Sequence, residues 1–327
     1  MNFNEILYGV AYYDEYMPYD RIETDFKMIR DAGMNVIRIA ESTWSTWEPK
    51  EGVFDFTHLH RMLDCAAKYE LKVIVGTPTY AIPSWLAKKY PDILAVTHNG
   101  KELYGHRQNM DITNPDYLHH AQIIIEKLME QVKDYDCVIG FQLDNETKPY
   151  DTCSKYAQAK FVEYLKNEFP DIDEFNREFG LDYWSNRVDD WDAFPDIRGT
   201  INMSLDAEYK KFQRKLVTDF FAWQADIVKK YKRDDQFITH NFDFEWHDYS
   251  YGMQPEVNQY EAAKCMDIAG CDIYHPSQKN IFCPSIKIKF IFTSINTQKE
   301  YQNFSILILF FTVFSFFLIT NIIAIAA

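Results

Sequence analysis

Over the first 278 residues the chain alternates short apolar runs with longer stretches whose apolar positions recur at helical spacing. The runs at 6–12, 35–41, 72–77, 138–143, 236–241 and 271–274 read as parallel strands buried on both faces. Between them lie amphipathic helices. Within 21–32, Ile22, Phe26 and Ile29 share one face, Asp20 with Glu23 resembles a capping box, and Gly33 sits where a C-cap glycine belongs. Leu59, Met62, Leu63 and Ala66 line 59–69, and Leu118, Ile125, Leu128 and Val132 line 117–133. The longest segment, 205–232, carries Tyr209, Phe212, Leu216, Phe220, Trp223 and Ile227 on one stripe.

Six strand-then-helix units in order predict a parallel α/β fold. No glycine-rich phosphate loop follows the first strand, so a nucleotide-binding doubly wound sheet has no support. An acidic, aromatic insertion at 182–196, with Trp184 and Trp191, separates the fourth strand from the fifth, and such insertions sit easily on barrel loops. The expected fold class is α/β, a (β/α)8 TIM barrel left incomplete at about six βα units. Strands one and six would then be unpaired edges.

Charge and composition mark where this pattern stops. The chain of 327 residues carries a formal charge of −15, which disfavours nucleic acid and anionic membrane surfaces as partners and favours a neutral or small one. Residues 279–327 hold four Lys, one Glu and no Asp or Arg, a net of +3 that leaves −18 on 1–278. All 11 Gly and all 7 Trp precede Lys279, whereas the tail is rich in Ile and Phe. The expected organisation is therefore a partial barrel at 1–278 and an aberrant apolar tail at 279–327. Residues 304–327 are long enough to cross a bilayer. Their Ile, Phe, Lys and Asn bias favours read-through or a frameshift in A/T-rich sequence over a membrane anchor. Within the tail, 286–293 alternates Ile and Lys and reads as a candidate strand.

The six Cys have irregular spacing with no metal-binding pattern, and the N-terminus lacks the basic and apolar regions of a signal peptide. Reduced thiols in a cytoplasmic protein are expected, with no cofactor and no metal.

The candidate chemistry lies at strand ends, where parallel barrels hold their reacting groups. Val138-Ile-Gly-Phe-Gln-Leu-Asp-Asn-Glu146 delivers Asp144, Asn145 and Glu146 to the mouth of the fourth strand. A carboxylic acid there can protonate a glycosidic oxygen when an apolar, aromatic site disfavours its charged form. An adjacent Asn amide can hydrogen-bond a sugar 2-hydroxyl. The alternative is that Asn-Glu merely caps the next helix. The 17% aromatic content fits sugar stacking and core packing alike.

Tyr8-Gly-Val-Ala-Tyr-Tyr13, Asp25 with Arg30-Asp-Ala-Gly-Met-Asn-Val-Ile-Arg38, Ile37-Arg-Ile-Ala-Glu41 and Trp47-Glu-Pro-Lys-Glu-Gly-Val-Phe-Asp-Phe56 resemble the retaining glycosidases of the large (β/α)8 clan. Within that clan, Gln142-Leu-Asp-Asn-Glu-Thr147, Tyr104-Gly-His-Arg107 and Cys271-Asp-Ile-Tyr-His-Pro276 are similar to family 42 β-galactosidases. The resemblance covers about residues 5–278. It implies that Glu146 is the acid/base, Asn145 the ligand of the 2-hydroxyl, and Arg107 an arginine beside the galactose site. It also places Asn241 and Tyr274 where the family contacts sugar, with a turn asparagine and a core tyrosine as equal alternatives. Glu41 is expected to hold Arg38 or Arg107, and Trp44 and Trp47 to pack rather than stack on sugar.

Two departures bear on activity. Many family members hold zinc in a cysteine cluster after the acid/base, and only Cys153 falls in that stretch, so zinc is not implied. The family nucleophile follows strand seven; here the carboxylate available after Asp272 is Glu300, with no clear apolar strand leading into it, a poor candidate. The expectation is a retaining hydrolase of terminal β-D-galactosides, inactive as this polypeptide, and an oligomer, often a trimer, in the intact family. Alternatives are a membrane-anchored, non-catalytic sugar binder and a related β-glucosidase or β-mannosidase.

Overall fold

A computed structural model describes residues 5–17, 20–105, 109–199, 202–243, 246–247, 250–251, 256–272 and 309–312. Seven parallel strands form a curled sheet: β1 (Tyr8–Ala11), β2 (Val36–Ile39), β3 (Lys72–Gly76), β4 (Val138–Gln142), β5 (Phe237–Asp243), β6 (Ile268–Asp272) and β7 (Leu309–Thr312). Strands β1 to β6 neighbour one another in chain order, which is the winding of an incomplete (β/α)8 barrel. The expected strand at 271–274 lies earlier, at Ile268–Asp272, because pairing with Thr239–Asp243 of β5 fixes its register.

The tail corrects one expectation. Residues 309–312, inside the apolar stretch 304–327, run parallel to β1 in register with Tyr8–Ala11, so β1 is not an unpaired edge. The Ile/Lys segment 286–293 lies outside the described residues. Among the described residues no helix is long and apolar enough to cross a membrane.

The helices of seven residues or more among the described residues are α1 (Ile22–Asp31), α2 (Thr57–Lys68), α3 (Pro115–Val132), α4 (Lys155–Glu168), α5 (Ile172–Glu178) and α6 (Met203–Lys229). Helix α1 ends as read: Gly33 has φ 77°, and the amides of Gly33 and Met34 donate to the carbonyls of Arg30 and Ile29, satisfying the last turn. Its start differs. Glu23 does not reach back to the backbone but accepts from Lys68 Nζ and Tyr69 Oη at the C-terminal end of α2, while Asp20 accepts from the Ile22 amide at 3.4 Å and from Arg61. The cation at the end of α2 offered Glu23 a better partner than the backbone. Helix α3 starts on Asn114, whose side chain accepts from the amides of Asp116 and Tyr117, with Pro115 at the first turn.

Alternation along the strands separates two cores. Ile37, Ile39, Val73, Val75, Ile238 and Phe242 face the helices, whereas Leu7, Val36, Ile74 and Phe237 form a separate buried cluster inside the sheet's curl. This plug leaves little room above it. A Cβ on Gly140 would sit 2.6 Å from the Phe237 ring. The strand then continues upward as polar positions, Arg38 on β2, Gln142 on β4, and Thr239 and Asn241 on β5, all buried. In the insertion after α5, Trp191 packs on Phe175 at 4.9 Å between ring centroids, while Trp184 is exposed.

Candidate active site

Polar side chains gather beyond the C-terminal ends of the strands. The chain after β4 reverses sharply, with left-handed backbone at Asp144 (φ 48°) and Glu146 (φ 45°). Such conformations cost roughly 1–2 kcal/mol each for a residue with a Cβ, so the surroundings must hold them. They do so from below. The Asp144 amide donates to Thr77 Oγ1 at 2.6 Å, and the Asp144 carboxylate accepts from Thr79 Oγ1 and Thr147 Oγ1, each at 2.5 Å. Gln224, buried on α6, ties Thr77 and Thr79 together. Asp144 therefore does not enter the mouth alongside its neighbours. Burial raises its carboxyl to about 6, against hydrogen bonds from Thr147, Thr79 and the Asn145 amide that favour the charge.

The turn delivers Asn145 and Glu146 to Asn241 of β5. Asn241 Nδ2 donates to Asn145 Oδ1 at 2.9 Å, and the Glu146 amide donates to Asn241 Oδ1 at 3.4 Å. Asn145 Nδ2 in turn faces Glu146 Oε2 at 3.5 Å. All three residues are at most 5% exposed. Asn241 Nδ2 also donates to Asp272 Oδ2 at 2.8 Å. Burial pushes Asp272 up to about 7; Arg38 opposes that shift and the Glu146 charge reinforces it.

A second network lines the β1–β2 side. Arg38 Nε donates to Glu41 Oε1 at 2.9 Å, its Nη1 to Gln142 Oε1 at 2.9 Å and its Nη2 to Tyr13 Oη at 3.0 Å. Tyr13 Oη donates to Glu41 Oε1 at 2.6 Å, and burial together with that carboxylate holds the phenol well above its ordinary range. Glu41 reaches inward because Ala40 takes φ 83° and because Gly76 opposite has no side chain; a Cβ there would lie 2.5 Å from Glu41 Cβ. Glu41 thus holds Arg38. Trp44 and Trp47 are fully buried and offer no sugar platform.

Of the residues singled out from sequence, Asn145, Glu146 and Asn241 meet; Arg107, Tyr274 and Glu300 lie outside the described residues. Sequence reading missed Asp272, although the signal used for Glu146, an acid ending an apolar run, was present in Ile268-Ala-Gly-Cys-Asp272. It also missed Tyr13 and Gln142 as partners of Arg38, which belong to different strands and carry no spacing signal.

Comparison with known proteins fits this geometry. Residues 11–307 match glycoside hydrolase family 42, β-galactosidase, and the chain belongs to that family. The match runs on past residue 278. A β-galactosidase of Thermus thermophilus is 30% identical over 276 residues, 81% of this chain and 41% of the relative. The β-galactosidase BgaA of Clostridium cellulovorans is 29% identical over 270 residues, 81% of this chain and 40% of that protein. Among solved structures, a catalytic mutant of a GH42 β-galactosidase from G. stearothermophilus superposes with a TM-score of 0.79 at 26% identity, covering 88% of this chain and 43% of the other. The chain spans about 40% of the length of the curated relatives it matches.

Proposed function

We propose that this chain carries the acid/base half of a retaining β-galactoside hydrolase site. Glu146 is the acid/base, Asn145 the ligand of the sugar 2-hydroxyl and Asn241 a sugar-side contact; by family resemblance Arg107 and Tyr274, outside the described residues, are further sugar-binding residues. The observation that carries this reading is the Asn145–Glu146–Asn241 constellation at the strand ends of a family 42 barrel. The five described cysteines are free thiols, which suits a cytoplasmic setting.

In the first half-reaction Glu146 donates its proton to the glycosidic oxygen as the C–O bond breaks, and a second carboxylate attacks the anomeric carbon to form a glycosyl ester. In the second half Glu146 takes a proton from water, the water oxygen bonds the anomeric carbon, and the second carboxylate leaves. Such a pair stands about 5–5.5 Å apart. Asp272 is engaged by Asn241 Nδ2 at 2.8 Å. Glu41 is engaged by Arg38 and Tyr13. In this reading none of the described carboxylates is the nucleophile, and the polypeptide of 327 residues is expected to be inactive.

The test uses the purified chain with a chromogenic β-galactoside and with galactose in a calorimeter. The expected outcome is galactose binding, preferred over glucose and mannose and weakened in Glu146→Gln and Asn145→Ala, without turnover. Turnover lost in Glu146→Gln would keep the acid/base assignment and overturn the expected inactivity. Neither binding nor turnover would overturn the reading.

A further inference from the structure

Gln224 sits among Phe221, Ala225 and Val228 on the buried face of α6, an amide in an apolar stripe. It is fully buried, and Thr77, Thr79 and Asp144 are at most 1% exposed, so their polar groups must find partners in the protein. They find them in a ring that has one direction. The Asp144 amide can only donate, and it donates to Thr77 Oγ1 at 2.6 Å. The single proton of the Thr77 hydroxyl then goes to Gln224 Oε1 at 2.6 Å. That sets the Gln224 oxygen toward Thr77 and its nitrogen toward Thr79, whose Oγ1 accepts at 3.3 Å. The Thr79 hydroxyl proton goes on to Asp144 Oδ1 at 2.5 Å and closes the ring. Turning the Gln224 amide over would present oxygen to Thr79 and draw that proton away from the Asp144 carboxylate.

We infer that Gln224 is a positioning residue for Glu146: through the Thr77 and Thr79 hydroxyls it holds, from α6, the turn that carries Asn145 and Glu146 to the barrel mouth. This rests on the reading of Glu146 as the acid/base. Asp144 is gripped at its amide and one carboxylate oxygen by the ring, at the other oxygen by Thr147 Oγ1, and at its carbonyl by Gln142 Nε2 at 2.9 Å. The left-handed backbone at Asp144 and again at Glu146 persists only while contacts of this kind over-determine it. Gln224 touches none of the reacting atoms; it acts through the turn.

The main chain around Thr79 has its own support. Tyr117 Oη, fully buried on α3, donates to the Thr79 carbonyl at 2.9 Å. Removing the Gln224 amide therefore leaves that backbone anchored but strips Thr77 Oγ1 of its acceptor and Thr79 Oγ1 of its donor. Both hydroxyls can then rotate, and their hold on Asp144 weakens. A merely structural role for Gln224 predicts something else: lower stability, with faster opening shared across the fold instead of concentrated at a turn remote in sequence. Gln213, also buried on α6 but outside the ring, provides the matched control.

The test is amide hydrogen exchange of the full chain at neutral pH, read by mass spectrometry, with thermal melts confirming that each variant folds and calorimetric titration with galactose alongside. In Gln224→Met the amides of Asp144 to Thr147 are expected to exchange faster than in the wild type by about fivefold or more, the weight of one ordinary hydrogen bond. Strands β2 and β3 keep their protection, and galactose affinity falls by a similar factor. Gln213→Met leaves the turn and the affinity as in the wild type. Unchanged exchange at the turn, a rise of equal size in every strand, the same loosening in Gln213→Met, or a loosened turn with wild-type affinity overturns the inference. Should Gln224→Met fail to fold, Thr79→Val against Thr79→Ser decides, because Gln224 reaches the Asp144 carboxylate through that hydroxyl: faster turn exchange in Thr79→Val supports the ring, and equal rates overturn it. The exchange readout needs no ligand. A wild-type chain that binds no galactose therefore sinks the acid/base reading, while the exchange rates still decide whether Gln224 holds the turn.

Discussion

Arg38 and Glu41, three residues apart at the end of β2, form an ion pair at 2.9 Å with side chains only 4% and 0% exposed. Neither charge has water to fall back on. Removing one partner from a buried pair strands the other, at a cost of about 3–5 kcal/mol. Glu41→Gln is expected to lower the free energy of unfolding by that order, while Tyr13→Phe, which deletes one hydrogen bond to the carboxylate, should cost about 1.5–3 kcal/mol. Urea denaturation of the two variants gives both numbers, and equal, negligible effects would show the pair to be solvated.

Asp144 makes stability depend on pH. Its folded-state value, about 6, lies above that of an unfolded Asp, so the folded chain holds the proton more tightly. The resulting stabilisation is fully present below about pH 4 and is lost as pH rises through about 6. The difference between wild type and Asp144→Asn should therefore change by about 3 kcal/mol across that window, with the wild type losing ground toward higher pH. Chemical denaturation at pH 4, 5, 6 and 7 checks the sign; a gap that widens in favour of the wild type at pH 7 contradicts it.

Gly140 and Phe237 are a matched pair inside the barrel. Because a Cβ at 140 would stand 2.6 Å from the Phe237 ring, Gly140→Ala should cost about 1–3 kcal/mol through overpacking. Phe237→Leu alone should also destabilise, through lost contacts in the plug with Leu7, Val36 and Ile74. Combined, the two changes should cost less than their sum, because the smaller side chain admits the new methyl group. Strict additivity in denaturant unfolding would refute the contact.

Asn241→Ala leaves Asn145 Oδ1 without its donor and the Glu146 amide without its acceptor. A loss of about 1–3 kcal/mol in stability is expected, with weaker galactose binding measured by calorimetry. Asn241→Asp should be worse for binding than for stability, since it sets a third carboxylate beside Asp272 and Glu146.

The order of strands and helices was legible along the chain because burial on both faces leaves unbroken apolar runs and burial on one face leaves a stripe, each a local consequence of backbone geometry. Gly33 could be read as a helix stop for the same reason. The strand end carrying Asn145 and Glu146 was legible too, since a polar triplet closing a buried run can only emerge at the mouth. What could not be read was the partner of each polar group. Glu23 binds Lys68 rather than capping its own helix, Asp144 turns down to Thr79 and Thr147, and Asp272 joins Glu146 through Asn241. Hydrogen bonds and ion pairs depend on distances of about 3 Å between side chains from different strands, and those distances exist only once the sheet has curled. The linear pattern decided which residues reach the barrel mouth; the closing of strands β2, β4, β5 and β6 around one another decided which of them touch.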